Sequence, residues 1–368
     1  MDSLLPQIAS DLHTTIGVAA MVVTAYAVTH GSIQLVIGPV GDRFGKYRTV
    51  AVSCAVASIF VALCGTVSTV TQLALARLAT GAAAGWVIPI SMAYVGDVTP
   101  HDRLQPILAR YLTGQILGQL FGQAAGGVLG DFMGWRTVFF VLAGMFAIAS
   151  AGLVVELTIN PLTRKASPRR HGSGFVADYA AVLSNPFARI VLIAALLEGA
   201  LAWGAFAYIG AHLRLRFGLS FTLVGVTVAC FGIGGLIYAG LVKLFVRRLG
   251  QIGLAVIGGL ILAAAYIWLA LATVWWFAPL ATTAIGLGFY MLHNTLQTNA
   301  TQMTPQARGT AVGLFSSALY IGQTAGVAAG ALMIDRVGAQ PLFLGTAVAL
   351  PALALWFAYQ LQKRRQVE

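Results

Sequence analysis

The chain has 368 residues, of which 58% are hydrophobic and only 9% charged, with a formal net charge of +11. A soluble domain keeps about a quarter of its residues charged, so this composition excludes a water-soluble globule and makes lipid the main solvent. In a soluble protein the positive charge would suggest nucleic acid; here the basic residues lie in short segments between apolar runs, where they set topology.

In chain order, apolar windows long enough to cross a bilayer fall at 14–38, 49–68, 72–96, 104–130 and 137–157, then at 188–212, 221–245, 251–271, 274–300, 309–333 and 341–361. The longest polar stretch, 158–187, carries Arg164, Lys165, Arg169 and Arg170 and divides the chain. This gives an N-terminal helix bundle at 1–157, a cytoplasmic linker at 158–187 and a C-terminal bundle at 188–368. Cys54, Cys64 and Cys230 sit inside apolar runs with no CxxC spacing and read as small core residues.

The two bundles repeat each other. At an offset of 205, Gly45 matches Gly250, Gly81 matches Gly286, and Thr99, Pro100 and Arg103 match Thr304, Pro305 and Arg308. One residue is then lost, and Gly118, Gln119, Gly122, Gly126, Asp131, Gly134 and Phe139 match Gly322, Gln323, Gly326, Gly330, Asp335, Gly338 and Phe343. So many matches in order mark duplicated transporter halves. Because Met1 aligns with Phe206, the first helix of a twelve-helix count is expected to be incomplete.

Sixteen of the 22 Lys and Arg residues fall in alternate loops starting with 39–48 and in the Lys363-Arg364-Arg365 tail. Those segments, and with them the C-terminus, are expected to be cytoplasmic. Trp135, Trp275 and Trp276 fall at the opposite boundary, where amphipathic rings settle.

The sharpest local signal is Gly38-Pro39-Val40-Gly41-Asp42-Arg43-Phe44-Gly45-Lys46-Tyr47-Arg48. Its glycines permit a tight turn, and Asp42 suits the positive end of a neighbouring helix. The run resembles the loop signature between helices two and three of the major facilitator superfamily. That resemblance implies that Asp42 meets helix eleven after Gly309, that Arg43 pairs with Asp97, and that these residues form a cytoplasmic gate. The alternative is that the charges only set topology.

Arg77 with Gly81 and Gly85 resembles the same superfamily's Arg-x-x-x-Gly pattern in helix four. The resemblance implies a role in proton coupling; an Arg snorkelling to the interface is the plainer alternative. Gly114, Gly118, Gly122, Gln123, Gly126 and Gly127 resemble the helix-five motif of the drug-efflux branch, with Gln123 where that motif has Pro. Such spacing suits close packing against helix eight. Asp2-Ser-Leu-Leu-Pro6 resembles the end of helix one in twelve-span drug:proton antiporters, including bicyclomycin and chloramphenicol resistance carriers, and Pro6-x-x-Ala9-x-Asp11-Leu12 is shared with arabinose-efflux-like permeases. In a complete helix one, Asp2 would be a proton site; Asp11 reads as an interfacial residue.

Of the acidic residues, Glu198 alone lies well inside an intact window. Burial penalises a charged carboxylate, as a group cycling between protonated and charged forms requires; a permanently neutral or paired structural carboxylate is the alternative. His30, and His293 with Asn294 and Gln297, are further polar candidates, although a lone intrahelical His is more often a hydrogen-bonded core residue. Tyr26 and Trp203 belong to a set of aromatics that either line a cavity or face neighbouring helices.

The expected fold is therefore an all-α membrane protein of two pseudo-symmetric six-helix bundles with about eleven complete spans. The resemblance implies a bacterial inner-membrane antiporter that exports a small drug-like or metabolite solute, powered by the proton gradient and needing no cofactor or metal. An importer or facilitator on the same fold, or a non-transporting truncated carrier, is the alternative. The expected partners are a small solute and the bilayer, not nucleic acid, and a monomer suffices. No P-loop, HExxH, GxSxG or dinucleotide fingerprint points to an enzyme.

Overall fold

The computed structural model describes residues 2–37, 44–99, 101–164 and 175–367, and among these every regular element is helical. After a 3-10 turn at Asp2–Leu4, α1 spans Leu5–Asp11, α2 Ile16–Ile33, α3 Lys46–Cys64 and α4 Val70–Val98. Next come α5 at His101–Met133 and α6 at Trp135–Ile159. A connecting helix at Phe175–Ser184 leads to α7 at Pro186–Phe217. The chain continues through α8 (221–249), α9 (251–271), α10 (Trp275–Gln302), α11 (Arg308–Val337) and α12 (Gln340–Val367).

Nine helices among the described residues are long and apolar enough to cross a membrane. The 51-residue stretch Phe221–Leu271 is about 2.5 times the length one crossing needs, and Gly250 breaks it into α8 and α9. With 33 residues α5 also has the length, but Gln115, Gln119 and Gln123 dilute its apolar character. Ile59, Leu75, Ile148, Leu332 and Val348 stand exposed on the outside of the bundle, where lipid accepts what water would penalise.

Two repeated glycine pairs have a conformational reason. Gly45 and Gly250 precede α3 and α9 with φ of 85° and 61°; Gly134 and Gly338 precede α6 and α12 with φ of 82° and 76°. Left-handed backbone of this kind favours a residue without Cβ. Four other helix starts are capped by side chains: Thr15, Thr69, Asn185 and Ser220 each accept a backbone N–H of the first turn.

The packing repeats as well. α2 lies on α4 and α3 on α6, while α8 lies on α10 and α9 on α12. A Cβ on Gly81 would strike the carbonyl oxygen of Tyr26, and one on Gly286 that of Phe231; both pairs are 205 apart. The halves meet along two seams, α5 with α8 and α11 with α2. In the first, Gly127 and Gly225 pack backbone on backbone, so close that a Cβ on Gly127 would lie 2.8 Å from the Gly225 Cα. In the second, the Ser317 hydroxyl donates to the Gly31 carbonyl at 2.5 Å.

Each seam ends in the same device. Asp131 at the end of α5 accepts the Phe221 and Thr222 N–H groups at the start of α8, at 2.9 and 2.5 Å. Asp335 near the end of α11 accepts the Gly17 N–H at the start of α2, at 3.0 Å. The acceptors are 204 apart, and Gly17 and Thr222 are 205 apart, so the repeat places one carboxylate on a helix start at each seam. At this end Asp11 also takes the Trp135 indole N–H at 3.0 Å and pairs with Arg136, which ties α1 to α6. At the opposite end Lys46 pairs with Asp97 at 2.5 Å, joining α3 to α4.

Candidate functional site

α7 carries Glu198 to the middle of the C-terminal bundle, immediately before a π-helical turn at Gly199–Trp203. In an i→i+5 turn, residues five apart come to lie nearly above one another. Glu198 and Trp203 are so related, whereas a regular α-helix would splay them apart. The turn is pressed onto α11. A Cβ on Gly199 would strike the Leu319 carbonyl oxygen, one on Gly322 that of Leu196, and one on Gly326 that of Ala200. Small residues thus let α7 and α11 touch through their backbones.

The Glu198 side chain is completely buried, and its Oε2 lies 2.9 Å from Nδ1 of His293 on α10. Its Oε1 has no hydrogen-bond partner among the described residues. The His293 ring stacks on Phe289, with centroids 4.9 Å apart and planes 12° apart, and Phe315 of α11 closes the other approach at 5.6 Å. Trp203 lies 5.2 Å from Phe289 and 5.3 Å from Phe206, and Phe231 completes an aromatic group beside the carboxylate. An acid and an imidazole are therefore held in contact with apolar rings around them, where electrostatic interactions are strong.

The N-terminal bundle holds a second constellation. The Arg77 guanidinium lies 4.2 Å over the Tyr26 ring and donates from Nε to the Val22 carbonyl at 3.4 Å. These contacts hold the arginine against α2. His30 lies 5.1 Å from Tyr26 and 4.4 Å from Tyr320 of α11, and its buried Nδ1 has no partner among the described residues. α11 is thus shared: Phe315 packs on His293 and Leu319 on Gly199, while Ser317 and Tyr320 meet α2.

Other expected residues lie apart. Asn294 turns its amide back to the Tyr290 carbonyl at 2.9 Å, and Gln297 is half-buried on the same helix. Asp2 stands on the opening 3-10 turn, and its side chain lies outside the described residues. Of the expected gate, Gly38, Asp42 and Arg43 lie outside the described residues; Arg48 is exposed, Gly45 starts α3, Gly309 follows the start of α11, and Asp97 carries Lys46. The helix-five motif meets α8 at one of its glycines. Packing against α8 is made by Gly127, whereas a Cβ on Gly114, Gly118, Gly122 or Gly126 would meet nothing within 4 Å. Gln123 contributes its backbone carbonyl at the Gly225 contact.

Residue types alone did not bring Glu198 and His293 together, nor give Phe315 and Tyr320 a role. One signal was available: Tyr26 aligns with Phe231 at the repeat offset, and both lie in the aromatic groups of their halves.

A family profile described as Major Facilitator Superfamily matches residues 2–327. YceJ of Bacillus subtilis (strain 168), described as an uncharacterized MFS-type transporter, is 24% identical over 332 residues, covering 89% of this chain and 82% of its own length. Multidrug resistance protein 1 of the same organism is 24% identical over 367 residues, covering 96% and 90%. A crystal structure of a mutant of the nucleoside transporter NupG superposes with a TM-score of 0.80 at 16% identity, over 97% of this chain and 94% of that one; at this identity the likeness is one of fold.

Proposed function

Because this chain belongs to the Major Facilitator Superfamily, we propose that it is a proton-coupled antiporter that exports a small drug-like or metabolite solute by alternating access. The reading rests on one observation, the buried contact between Glu198 and His293. With one proton between them the pair is neutral overall, either as acid and imidazole or as carboxylate and imidazolium. It can then stay sealed from water. Without that proton an unpaired carboxylate remains in the core, at a cost of several kcal/mol. Deprotonation therefore favours a conformation that opens the site to water or admits a solute in the proton's place.

The halves, 1–157 and 188–368, rock about this site with 158–187 as the linker. Arg77, fixed over Tyr26, adds positive charge on the facing half and tunes the exchange, and the loop containing Asp42 and Arg43 forms the cytoplasmic gate. The basic loops and the C-terminus face the cytoplasm of a bacterial inner membrane. Each proton crossing 100 mV supplies about 2.3 kcal/mol, enough to hold a solute gradient of roughly fiftyfold. Likeness to a multidrug resistance protein over nearly the whole chain supports the outward direction.

Everted membrane vesicles holding the full chain, loaded with a pH-sensitive dye and offered a panel of compounds, test this. Antiport predicts that some compounds release lumenal protons. Accumulation with the opposite dependence on the proton gradient would instead make the protein an importer.

A further inference from the structure

Glu198 has no accessible surface, so a proton cannot reach it from water directly. Resting on the proposal that Glu198 is the coupling acid, we infer that His293 is the relay residue through which that carboxyl gains and loses its proton. Of the two Glu198 oxygens, Oε2 faces His293 Nδ1 and Oε1 faces no polar partner among the described residues. Among the described residues, a proton arriving by way of a protein group therefore comes through the imidazole.

His293 is built for the task. It keeps 14% of its side chain accessible where Glu198 has none. Phe289 lies parallel to the ring and Phe315 crowds it from α11, so the ring is held with Nδ1 on the carboxylate. Nε2 lies on the side of the ring away from the carboxylate. Glu198 from α7 is the titratable group in contact with the ring; α10 and α11 present the phenyl rings of Phe289 and Phe315.

The transfer balances with one proton and no other reactant. The neutral ring first carries its hydrogen on Nδ1, where it is hydrogen-bonded to the Oε2 carboxylate and stays bound to nitrogen. A proton from water adds to Nε2 and gives the imidazolium. The Nδ1 hydrogen then passes to Oε2, leaving a neutral carboxylic acid and a neutral ring protonated on Nε2. The reverse sequence releases the proton. A side chain that donates one hydrogen bond but cannot pass a proton through itself would hold the carboxylate and block the exchange.

The test needs no solute. Infrared difference spectroscopy of the full chain in lipid follows the Glu198 carboxyl band, identified as the band that Glu198→Gln removes, during transfer from water to deuterium oxide. His293→Gln, whose amide can donate to Oε2, is expected to slow deuterium entry at least tenfold. His293→Ala is expected to be equally slow and to regain rate with millimolar imidazole, a rescue that a merely structural histidine would not show. Exchange at the wild-type rate in both variants overturns the relay while leaving Glu198 as the coupling acid. Absence of any band sensitive to Glu198→Gln and to pH removes the coupling acid itself, and the relay with it.

Discussion

A glycine whose missing Cβ leaves room for another backbone differs from one that faces open space, and this chain holds both kinds at similar spacing. Gly199 lies against the Leu319 carbonyl, where neither backbone can yield. Gly199→Ala is expected to cost about 1–3 kcal/mol by overpacking, read as a lowered melting temperature of the purified protein. Gly118→Ala meets nothing within 4 Å and should leave stability unchanged or raise it by up to about 1 kcal/mol, because Ala favours the helix. The spacing alone could not separate these cases: small residues four apart say that a close approach is possible, not which row of the helix makes it. For the same reason the spacing did not single out Gly127, one position beyond the regular series, as the glycine of the motif that meets α8.

Asp11 makes a second prediction at this scale. Its hydrogen bond from Arg136, followed by that from Trp135, holds its carboxyl below the usual range. A depressed acid contributes stability above its unfolded value, about pH 3.9, and loses it as pH falls through the lower folded value. Asp11→Asn should therefore melt below the wild type at pH 7, and the difference should close as the pH is taken below 4. Asp11 is largely exposed, so the difference is modest.

Among the elements, the two seams carry the mechanics. Asp131 on the start of α8 and Asp335 on the start of α2 hold one end of the halves together. A carboxylate at an exposed helix start contributes up to about 1 kcal/mol, so losing both shifts an open-to-closed ratio by up to about thirtyfold. Spin labels at Phe132 and Trp276, both exposed at this end in opposite halves, should report a growing long-distance population in the Asp131→Asn, Asp335→Asn double variant. An unchanged distribution would remove the latch. The matched aspartates were visible in the repeat. Their role was not, because a capping acceptor and its helix come from opposite halves. The π-turn at Gly199–Trp203 was equally hidden, since one widened turn leaves no trace in hydropathy. The helices themselves were legible because burial in lipid demands long apolar runs, and Gly250 announced its break through the match with Gly45.

For the whole molecule, duplication explains the symmetry of the packing. Repeated packing of α2 on α4 and α8 on α10 builds two similar bundles that meet along two seams, the arrangement that the proposed rocking requires. The asymmetry lies in what each bundle presents: Glu198 with His293 in one, and Arg77 with Tyr26 and His30 in the other. α11 touches both groups, with Phe315 against His293 and Tyr320 against His30.

The central claim is that Glu198 couples transport to protons, and Glu198→Gln tests it most directly. Wild-type and variant proteins, inserted to equal levels in everted vesicles, are compared for proton release and for gradient-independent exchange of a compound that the wild type recognises. The account predicts that the variant still exchanges the compound but no longer releases protons in response to it. Proton release by the variant at the wild-type rate would contradict the account and move the coupling site elsewhere in the molecule.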